Sequence, residues 1–228
     1  MKLYAFAPLA ALLLAGCGAS DPPVAPPSET TRTVSPPDVP VMGREVRILA
    51  LGDSLFAGYG VGPRESYPAR LEAALRARGI NARIANAGVS GDTTGGGLER
   101  LSFTLESQPQ PPDLAIISLG GNDMLRGLPP AQSRANLDGI VTQLRARGIK
   151  VILMGMLAPP NLGADYRGKF DAIYPALARQ HGAGLVPFFL QPVVGKPDLV
   201  QPDRIHPTAA GIEEMVAATV DEVAEAVS

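Results

Sequence analysis

The alternation of short apolar runs with segments of helical spacing constrains the fold of this chain more than any other feature. Strand-like apolar runs lie at residues 46–51, 82–86, 113–119, 149–156 and 184–189. Apolar residues at helical spacing lie at residues 65–78, 131–147, 168–181 and 208–227. Strands that alternate with helices form parallel sheets with helices on both faces. We therefore predict an α/β fold with one parallel sheet between two helical layers.

Two long loops are predicted directly after strands. One spans residues 87–97 and is rich in glycine, and the other spans residues 157–167 and contains Pro159 and Pro160. In open parallel sheets, ligands bind beyond the carboxyl ends of the strands. The functional site is therefore expected at this edge of the sheet, where binding loops are commonly found.

The N-terminal residues have the pattern of an export signal. Lys2 precedes an apolar stretch at residues 3–15, which is too short to span a bilayer as a helix. The sequence Leu-Ala-Gly-Cys at residues 14–17 resembles a bacterial lipobox, at which lipoproteins are cut and lipid-modified. We predict a signal peptide at residues 1–16 and lipid attachment at Cys17. The alternative is an ordinary secretory signal and a periplasmic protein.

A proline-rich segment follows Cys17, which is the only cysteine and therefore excludes an intramolecular disulfide. Residues 17–43 are rich in Pro, Ser and Thr, a composition that favours extended chain over a packed core. We predict a tether at residues 17–43 and one folded domain at residues 44–228. Acyl chains on Cys17 would hold this domain at a membrane of the cell envelope, on the periplasmic side. Positions 18 and 19 are not acidic, which favours the outer membrane.

Charge and composition argue against several kinds of partner. The chain has 20 Lys and Arg residues against 22 Asp and Glu residues, so no nucleic-acid partner is expected. The acidic pair Asp198 and Asp203 lacks further ligands at metal-binding spacing, so neither a metal nor another cofactor is expected. The sequence leaves the oligomeric state open.

A candidate nucleophile lies in the block Gly52-Asp53-Ser54-Leu55, directly after the first apolar run. A serine hydroxyl becomes a good nucleophile only when a base takes its proton. His206 is a candidate base because it lies three residues after Asp203. This spacing can place the carboxylate and the imidazole on one side of a turn, with the second ring nitrogen free to face the serine. The other histidine, His181, ends a predicted helix, and interaction with the helix dipole suffices to explain it.

Two blocks after the second and third apolar runs offer N–H donors for an oxyanion. The block Gly120-Gly121-Asn122-Asp123 follows the third run, and the Asn122 amide donates without carrying charge. Gly91 follows the second run and could offer its backbone N–H to the same point. The backbone N–H of Ser54 would be a third donor. Ordinary turn formation is the alternative for each block alone, because Gly and Asn are common in turns.

Four other polar residues near these blocks are predicted to have structural roles. Asp53 and Asp123 are expected to accept hydrogen bonds from loop N–H groups. Ser90 and Ser118 are expected to be hydrogen-bonding residues of a loop and a strand.

The order and spacing of these blocks resemble those of the SGNH hydrolases, also called the GDSL esterase/lipase family. The matching blocks are Gly52-Asp53-Ser54-Leu55, Gly91 within residues 86–92, Gly120-Gly121-Asn122-Asp123 and Asp203-Arg204-Ile205-His206. The resemblance extends over about residues 46–220 and is closest to the bacterial thioesterase, lysophospholipase and arylesterase branch.

The resemblance implies a flavodoxin-like three-layer α/β/α sandwich with a five-stranded parallel sheet. It implies that Ser54 is the nucleophile, that His206 is the base and that Asp203 orients His206. It also implies an oxyanion hole formed by Ser54, Gly91 and Asn122. The G-x-S-x-G elbow of the α/β-hydrolases is absent around Ser54, which argues against that other fold.

We therefore expect a serine acyl-ester hydrolase that acts on a small-molecule ester or a lipid-derived substrate. Aryl esters, thioesters and lysophospholipids all fit, and the acyl-chain length is left open. Residues 56–67 and 157–167 are expected to border the acyl pocket, with Met154, Met156 and Leu157 as candidate lining residues. The alternatives are a carbohydrate O-acetyl esterase of envelope glycans and a catalytically inactive, ligand-binding lipoprotein.

Overall fold

The computed structural model describes residue 41 and residues 43–227, which include one five-stranded parallel sheet. The strands are β1 (Val46–Gly52), β2 (Ala82–Gly88), β3 (Leu114–Ser118), β4 (Lys150–Met154) and β5 (Gly184–Val186). Their order in the sheet is β2-β1-β3-β4-β5, which is that of flavodoxin-like sheets. The predicted fold class is therefore confirmed. The predicted signal peptide, Cys17 and all of the predicted tether except residues 41 and 43 lie outside the described residues.

The described helices form the two outer layers. They are α1 (Ser54–Ala57), α2 (Tyr67–Ala77), α3 (Thr94–Glu106), α4 (Gly121–Leu125), α5 (Pro130–Ala146), α6 (Ala164–Asp171), α7 (Ile173–His181) and α8 (Ala209–Val227). Helices α2 and α8 pack together on one face, while α3, α5 and α7 pack on the other. Within the described part of the chain, no helix is long and apolar enough to cross a membrane.

A buried aromatic cluster supports the end of β1. The rings of Phe56 and Tyr67 are stacked with centroids 5.3 Å apart, and Phe189 lies edge-on to Tyr67 at 4.7 Å. The Tyr67 hydroxyl lies 2.7 Å from Thr219 Oγ1, which joins α2 to α8. Because these side chains are fully buried or nearly so, α1 rests on a closely packed base.

The glycine-rich segment at residues 87–97 is not the long loop that we predicted. Strand β2 continues to Gly88, and α3 already begins at Thr94. Thr93 caps α3, since its Oγ1 accepts from the N–H of Gly96 at 3.2 Å. A Cβ at Gly97 would lie 2.3 Å from Leu119 Cδ1, so glycine permits a close approach of α3 to the chain after β3. Tertiary packing here overrides the low helix propensity of glycine.

Two further segments depart from the prediction. The predicted loop at residues 157–167 contains a 3₁₀ turn at Pro160–Leu162 and the beginning of α6. The helix predicted at residues 168–181 is divided into α6 and α7. Pro175 lacks the N–H that would continue the helical ladder to the carbonyl of Asp171, which accounts for the break.

The two edges of the sheet differ. Strand β2 forms one edge, and its Ile84 N–H donates to the Glu72 carboxylate at 2.6 Å. The N–H of Gly88 donates to the Asn86 side chain at 2.9 Å. Strand β5 forms the other edge and has only three residues.

Candidate active site

Ser54 begins α1 directly beyond the carboxyl end of β1. Asp53 caps this short helix, because its Oδ1 accepts from the N–H of Leu55 at 3.0 Å. The N–H of Asp53 donates to the carbonyl of Ser118 on β3 at 3.1 Å. Gly58, at φ +83°, ends the turn and donates to the carbonyl of Ser54 at 3.2 Å. The hydroxyl of Ser54 is thus held at the predicted edge of the sheet.

The loop after β2 is held against this turn. A Cβ at Gly88 would lie only 2.3 Å from the backbone N of Ala57, so only glycine allows this approach. Arg100 donates from Nε to Asp92 Oδ2 at 2.6 Å and from Nη2 to the carbonyl of Gly52 at 3.0 Å. The side chain of Arg100 therefore joins the end of β1 to the loop that follows β2.

The structure brings Ser54, His206 and Asp203 into one hydrogen-bonded chain. His206 Nε2 lies 2.8 Å from Ser54 Oγ, and His206 Nδ1 lies 2.6 Å from Asp203 Oδ2. Arg204, at φ +62°, forms the tight turn between the acid and the imidazole. The hydrogen bond to the His206 ring, together with the backbone N–H groups of Ile205 and His206, lowers the pKa of Asp203 to about 2. An ionised Asp203 accepts the Nδ1–H, which leaves the Nε2 lone pair facing the serine.

Asn122 and the Gly91 loop meet beside the nucleophile turn. Asn122 Nδ2 donates to the carbonyl of Asp92 at 2.9 Å and lies 3.4 Å from Asp53 Oδ2. Gly91 has φ +85°, and its carbonyl accepts from Arg126 Nη2 at 2.7 Å. The structure therefore brings together the segments that carry all the predicted oxyanion donors.

The two acids within the Ser54 and Asn122 blocks, Asp53 and Asp123, have the structural contacts that the sequence predicted. Asp53 is buried, and burial raises its pKa to about 6 against the opposing effects of the Leu55 N–H and the charge of His206. Asp123 is also buried, and its carboxylate accepts from the backbone N–H of Thr94 at 2.8 Å. Asp123 therefore fixes the beginning of α3 relative to α4.

Sequence reasoning missed Gln201, and although Tyr59 lies in the predicted pocket segment at residues 56–67, it missed the contact of Tyr59 with His206. Gln201 Nε2 donates to the carbonyl of Tyr59 at 2.8 Å and to the carbonyl of Pro207 at 2.9 Å. Its backbone N–H donates to the carbonyl of His206 at 2.7 Å. The Tyr59 ring lies against the His206 ring, with centroids 4.4 Å apart. Gln201 thus ties the turn of the nucleophile to the turn of the imidazole, and only the folded chain reveals this pairing.

The remaining polar candidates lie apart from this hydrogen-bonded chain. His181 Nε2 lies 2.6 Å from Asp138 Oδ1, which joins α7 to α5 and is consistent with a structural role. Ser90 is exposed. The Ser118 hydroxyl is buried without a hydrogen-bond partner among the described residues, so the contact of Ser118 with Asp53 is made by its carbonyl alone.

The candidate pocket residues divide into buried and accessible positions. Met154 and Met156 are packed in the core, whereas Leu157 is 42% exposed beyond β4. Only Leu157 of these three is therefore accessible to a substrate in this structure. Among residues 41 and 43–227, no group of three His, Cys, Asp or Glu side chains is arranged to hold a metal ion.

Comparison with known proteins agrees with this arrangement. Residues 50–213 match the GDSL-like Lipase/Acylhydrolase family. Esterase TesA of Pseudomonas aeruginosa is 43% identical over 163 residues, which cover 72% of this chain and 80% of that protein. The thioesterase 1/protease 1/lysophospholipase L1 of Escherichia coli K12 is 39% identical over 160 residues, which cover 70% of this chain and 74% of that protein.

The crystal structure of AlinE4, an SGNH-hydrolase family esterase, is also similar. It shares 61% sequence identity and superposes with a TM-score of 0.70, covering 82% of this chain and 99% of AlinE4. The family match spans the strands and loops that carry Ser54, Asn122, Asp203 and His206. The chain therefore belongs to the GDSL-like lipase/acylhydrolase family, the SGNH hydrolases.

Proposed function

We propose that this chain is a serine hydrolase of carboxylic esters, with Ser54 as nucleophile, His206 as general base and Asp203 as the group that orients the imidazole. One observation carries the assignment. The contacts of 2.8 Å from Ser54 Oγ to His206 Nε2 and of 2.6 Å from His206 Nδ1 to Asp203 Oδ2 form a continuous hydrogen-bonded chain in which the imidazole can take the serine proton while the carboxylate stays ionised. This is the arrangement that activates a serine hydroxyl.

The reaction proceeds in two acyl transfers. Ser54 Oγ attacks the ester carbonyl carbon while its proton moves to His206 Nε2, and the ionised Asp203 stabilises the resulting imidazolium. The tetrahedral intermediate collapses when His206 returns that proton to the leaving alcohol, which leaves an acyl-enzyme. Water then attacks the acyl group with its proton moving to His206, and the acid departs as Ser54 regains its proton.

The oxyanion is held by the backbone N–H groups of Ser54 and Gly91 and by the side chain of Asn122. One Asn122 N–H is fixed on the Asp92 carbonyl at 2.9 Å. The contact of the same nitrogen with Asp53, at 3.4 Å, is long and therefore weak. A developing oxyanion offers the second N–H a better acceptor. Each such donor typically contributes roughly 3–4 kcal/mol to transition-state stabilisation.

The substrate is an acyl ester or thioester with an apolar acyl or aryl group. The named esterase and thioesterase/lysophospholipase relatives support this range. The exposed side chains of Tyr59, which lies on the His206 ring, and of Ile205, which precedes His206, favour an apolar group over a sugar. We also propose that acyl chains on Cys17 hold the protein in the cell envelope, on the basis of the lipobox-like sequence at residues 14–17.

Two reagents test the assignment: a p-nitrophenyl ester as substrate and a fluorophosphonate as a covalent probe of activated serine. The wild-type chain should hydrolyse the ester and take up one equivalent of probe. Ser54→Ala should lose both properties. Ser90→Ala is the matched control, because Ser90 is an exposed serine of the neighbouring loop. Labelling that survives in a folded Ser54→Ala protein would refute the assignment.

A further inference from the structure

Large apolar side chains are exposed mainly at one end of the domain. Among the described residues, those that are 42–74% exposed are Tyr59, Val89, Phe103, Leu125, Leu157, Val194 and Ile205. All except Phe103, which lies on α3, belong to the chain segments that follow the strands at their carboxyl ends. We call these six the apolar rim. The described segments that lead into the strands expose no large apolar side chain.

Every strand of the sheet is followed by a member of the apolar rim. Tyr59 follows β1, Val89 follows β2, Leu125 follows β3, Leu157 follows β4, and both Val194 and Ile205 follow β5. Because all five strands are parallel, these segments leave the sheet at the same edge as Ser54. The segments that carry the apolar rim therefore all leave the sheet at the edge that carries the catalytic hydroxyl.

The segments that carry the apolar rim are fixed to one another. The N–H of Val89 donates to the carbonyl of Gly52 at 3.0 Å, and the Tyr59 ring lies on His206. The N–H of Phe189 donates to the carbonyl of Gly155 at 2.8 Å, which joins the segments after β4 and β5. Isolated exposed apolar residues need no explanation, but a group at one end of a domain marks a contact surface.

Cations accompany the apolar rim. Arg64, Arg126, Lys196 and Arg204 are exposed in the same segments and form no ion pair with another described residue. The acids of these segments include Asp92, which pairs with Arg100, Asp203, which is hydrogen-bonded to the His206 ring, and Glu65, which accepts from a backbone N–H. Asp198 is exposed there without an ion pair to another described residue, so the four cations outnumber the exposed acids only slightly. An apolar surface with exposed cations at its margin that lack a carboxylate partner is complementary to anionic lipid headgroups above acyl chains.

We propose that the apolar rim docks on a lipid surface, so that Ser54 takes its ester from the lipid–water interface. This deepens the proposed hydrolase function and rests on its ester chemistry. A protein partner held permanently on the apolar rim would cover the hydroxyl, whereas a fluid lipid surface supplies acyl substrates. A proline-rich tether at residues 17–43 would let a domain anchored at Cys17 turn this end towards the membrane.

Single tryptophan probes test this docking, because the chain has no tryptophan of its own. Leu125→Trp and Val194→Trp place a probe on the apolar rim. Phe103→Trp is the matched control, since Phe103 is exposed outside it. The full chain is mixed with vesicles of phosphatidylcholine and phosphatidylglycerol, with and without brominated acyl chains. We expect a blue shift and bromine quenching for both rim probes and neither change for the Phe103 probe.

Three outcomes would overturn the proposal. One is the absence of a blue shift and of quenching for both rim probes. Another is an equal change for the Phe103→Trp probe, which would report only that the domain is close to the vesicle. The third is a shift that depends on protein concentration without lipid, because a second copy of the chain would then cover the rim. The signal needs no turnover, so the same probes are also read in Ser54→Ala. A chain that fails to hydrolyse esters can therefore still show docking. A chain that fails to dock can still hydrolyse a soluble ester.

Discussion

The state of the His206 ring depends on the single carboxylate of Asp203. Asp203→Asn replaces an acceptor with a side chain that can donate to Nδ1, which favours the tautomer with its proton on Nε2. That tautomer cannot take the proton of Ser54, so we expect kcat to fall by roughly 10⁴-fold. Steady-state hydrolysis of a p-nitrophenyl ester measures the change, with circular dichroism as the check on folding. A loss smaller than tenfold would contradict the proposed role of Asp203.

Asp53 makes stability depend on pH in the opposite sense to an ordinary paired carboxylate. Burial raises its pKa from 3.8 to about 6, so the folded state favours the neutral acid. The stability that the neutral Asp53 side chain contributes to the folded state is therefore fully present below about pH 4 and is lost as pH rises through about 6. A shift of about two units corresponds to about 3 kcal/mol.

We expect Asp53→Asn to gain stability over the wild type as pH rises from 4 to 8. The asparagine oxygen can still accept from Leu55, and the neutral amide carries no buried charge. The difference in the free energy of unfolding should grow by up to about 3 kcal/mol over this range. Urea unfolding of both proteins at several pH values measures it. Asp165→Asn, at an exposed position, is the control and should show no such trend.

At the scale of elements, Gln201 connects the two turns that carry the reacting groups. Gln201→Ala removes its contacts with the carbonyls of Tyr59 and Pro207 and loosens the alignment of Ser54 with His206. Because small misplacements of reacting groups cost up to about 10² in rate, we expect kcat to fall roughly 10–100-fold with little change in KM.

A matched control separates positioning from a general loss of stability. Gln180 lies on the surface of α7, away from the site, and its side-chain amide donates to Asp138 of α5. Gln180→Ala removes this contact. It should leave kcat unchanged. If kcat is also unchanged in Gln201→Ala, the proposed connection has no role in alignment, whatever happens to the unfolding midpoint.

The elements with a strong periodic pattern were predictable from sequence, and those that depend on packing were not. The five strands and the helices α2, α5 and α8 lie close to their predicted positions because their apolar spacing is regular. Helix α3 was missed because three consecutive glycines indicate a loop. What makes it a helix is the Thr93 cap and the close fit of Gly97 against Leu119.

The candidate site shows the same division. Short sequence blocks of about four residues contain Ser54, Asn122, Asp203 and His206, and the residue types within each block are enough to suggest a catalytic role. Gln201 has no such block, because its role depends on the carbonyl of Tyr59, which is 142 positions away in the sequence. Contacts of this kind exist only after the chain has folded, and a single sequence contains no local sign of them.

At the scale of the whole molecule, the proposed lipid attachment at Cys17 would determine where the domain works. Wild-type protein expressed in bacteria should incorporate labelled palmitate, and Cys17→Ser should not, because the acyl chains need the cysteine thiol. The variant should also lose the tight membrane association that two or more acyl chains provide. Cell fractionation after a high-salt wash measures the second effect. Palmitate labelling of Cys17→Ser would contradict the predicted anchor.

The contact between Glu72 and the backbone of β2 has a consequence for how the protein resists aggregation. An unpaired strand at the margin of a sheet is a template on which another polypeptide can add, and such growth leads to fibres. In this protein the Ile84 N–H is already taken by a carboxylate, and the opposite margin is only three residues long. A strand from another chain would find the Ile84 N–H of β2 already bonded to the Glu72 carboxylate. At β5 it would find only three residues of backbone to pair with. The sheet therefore resists extension at both edges.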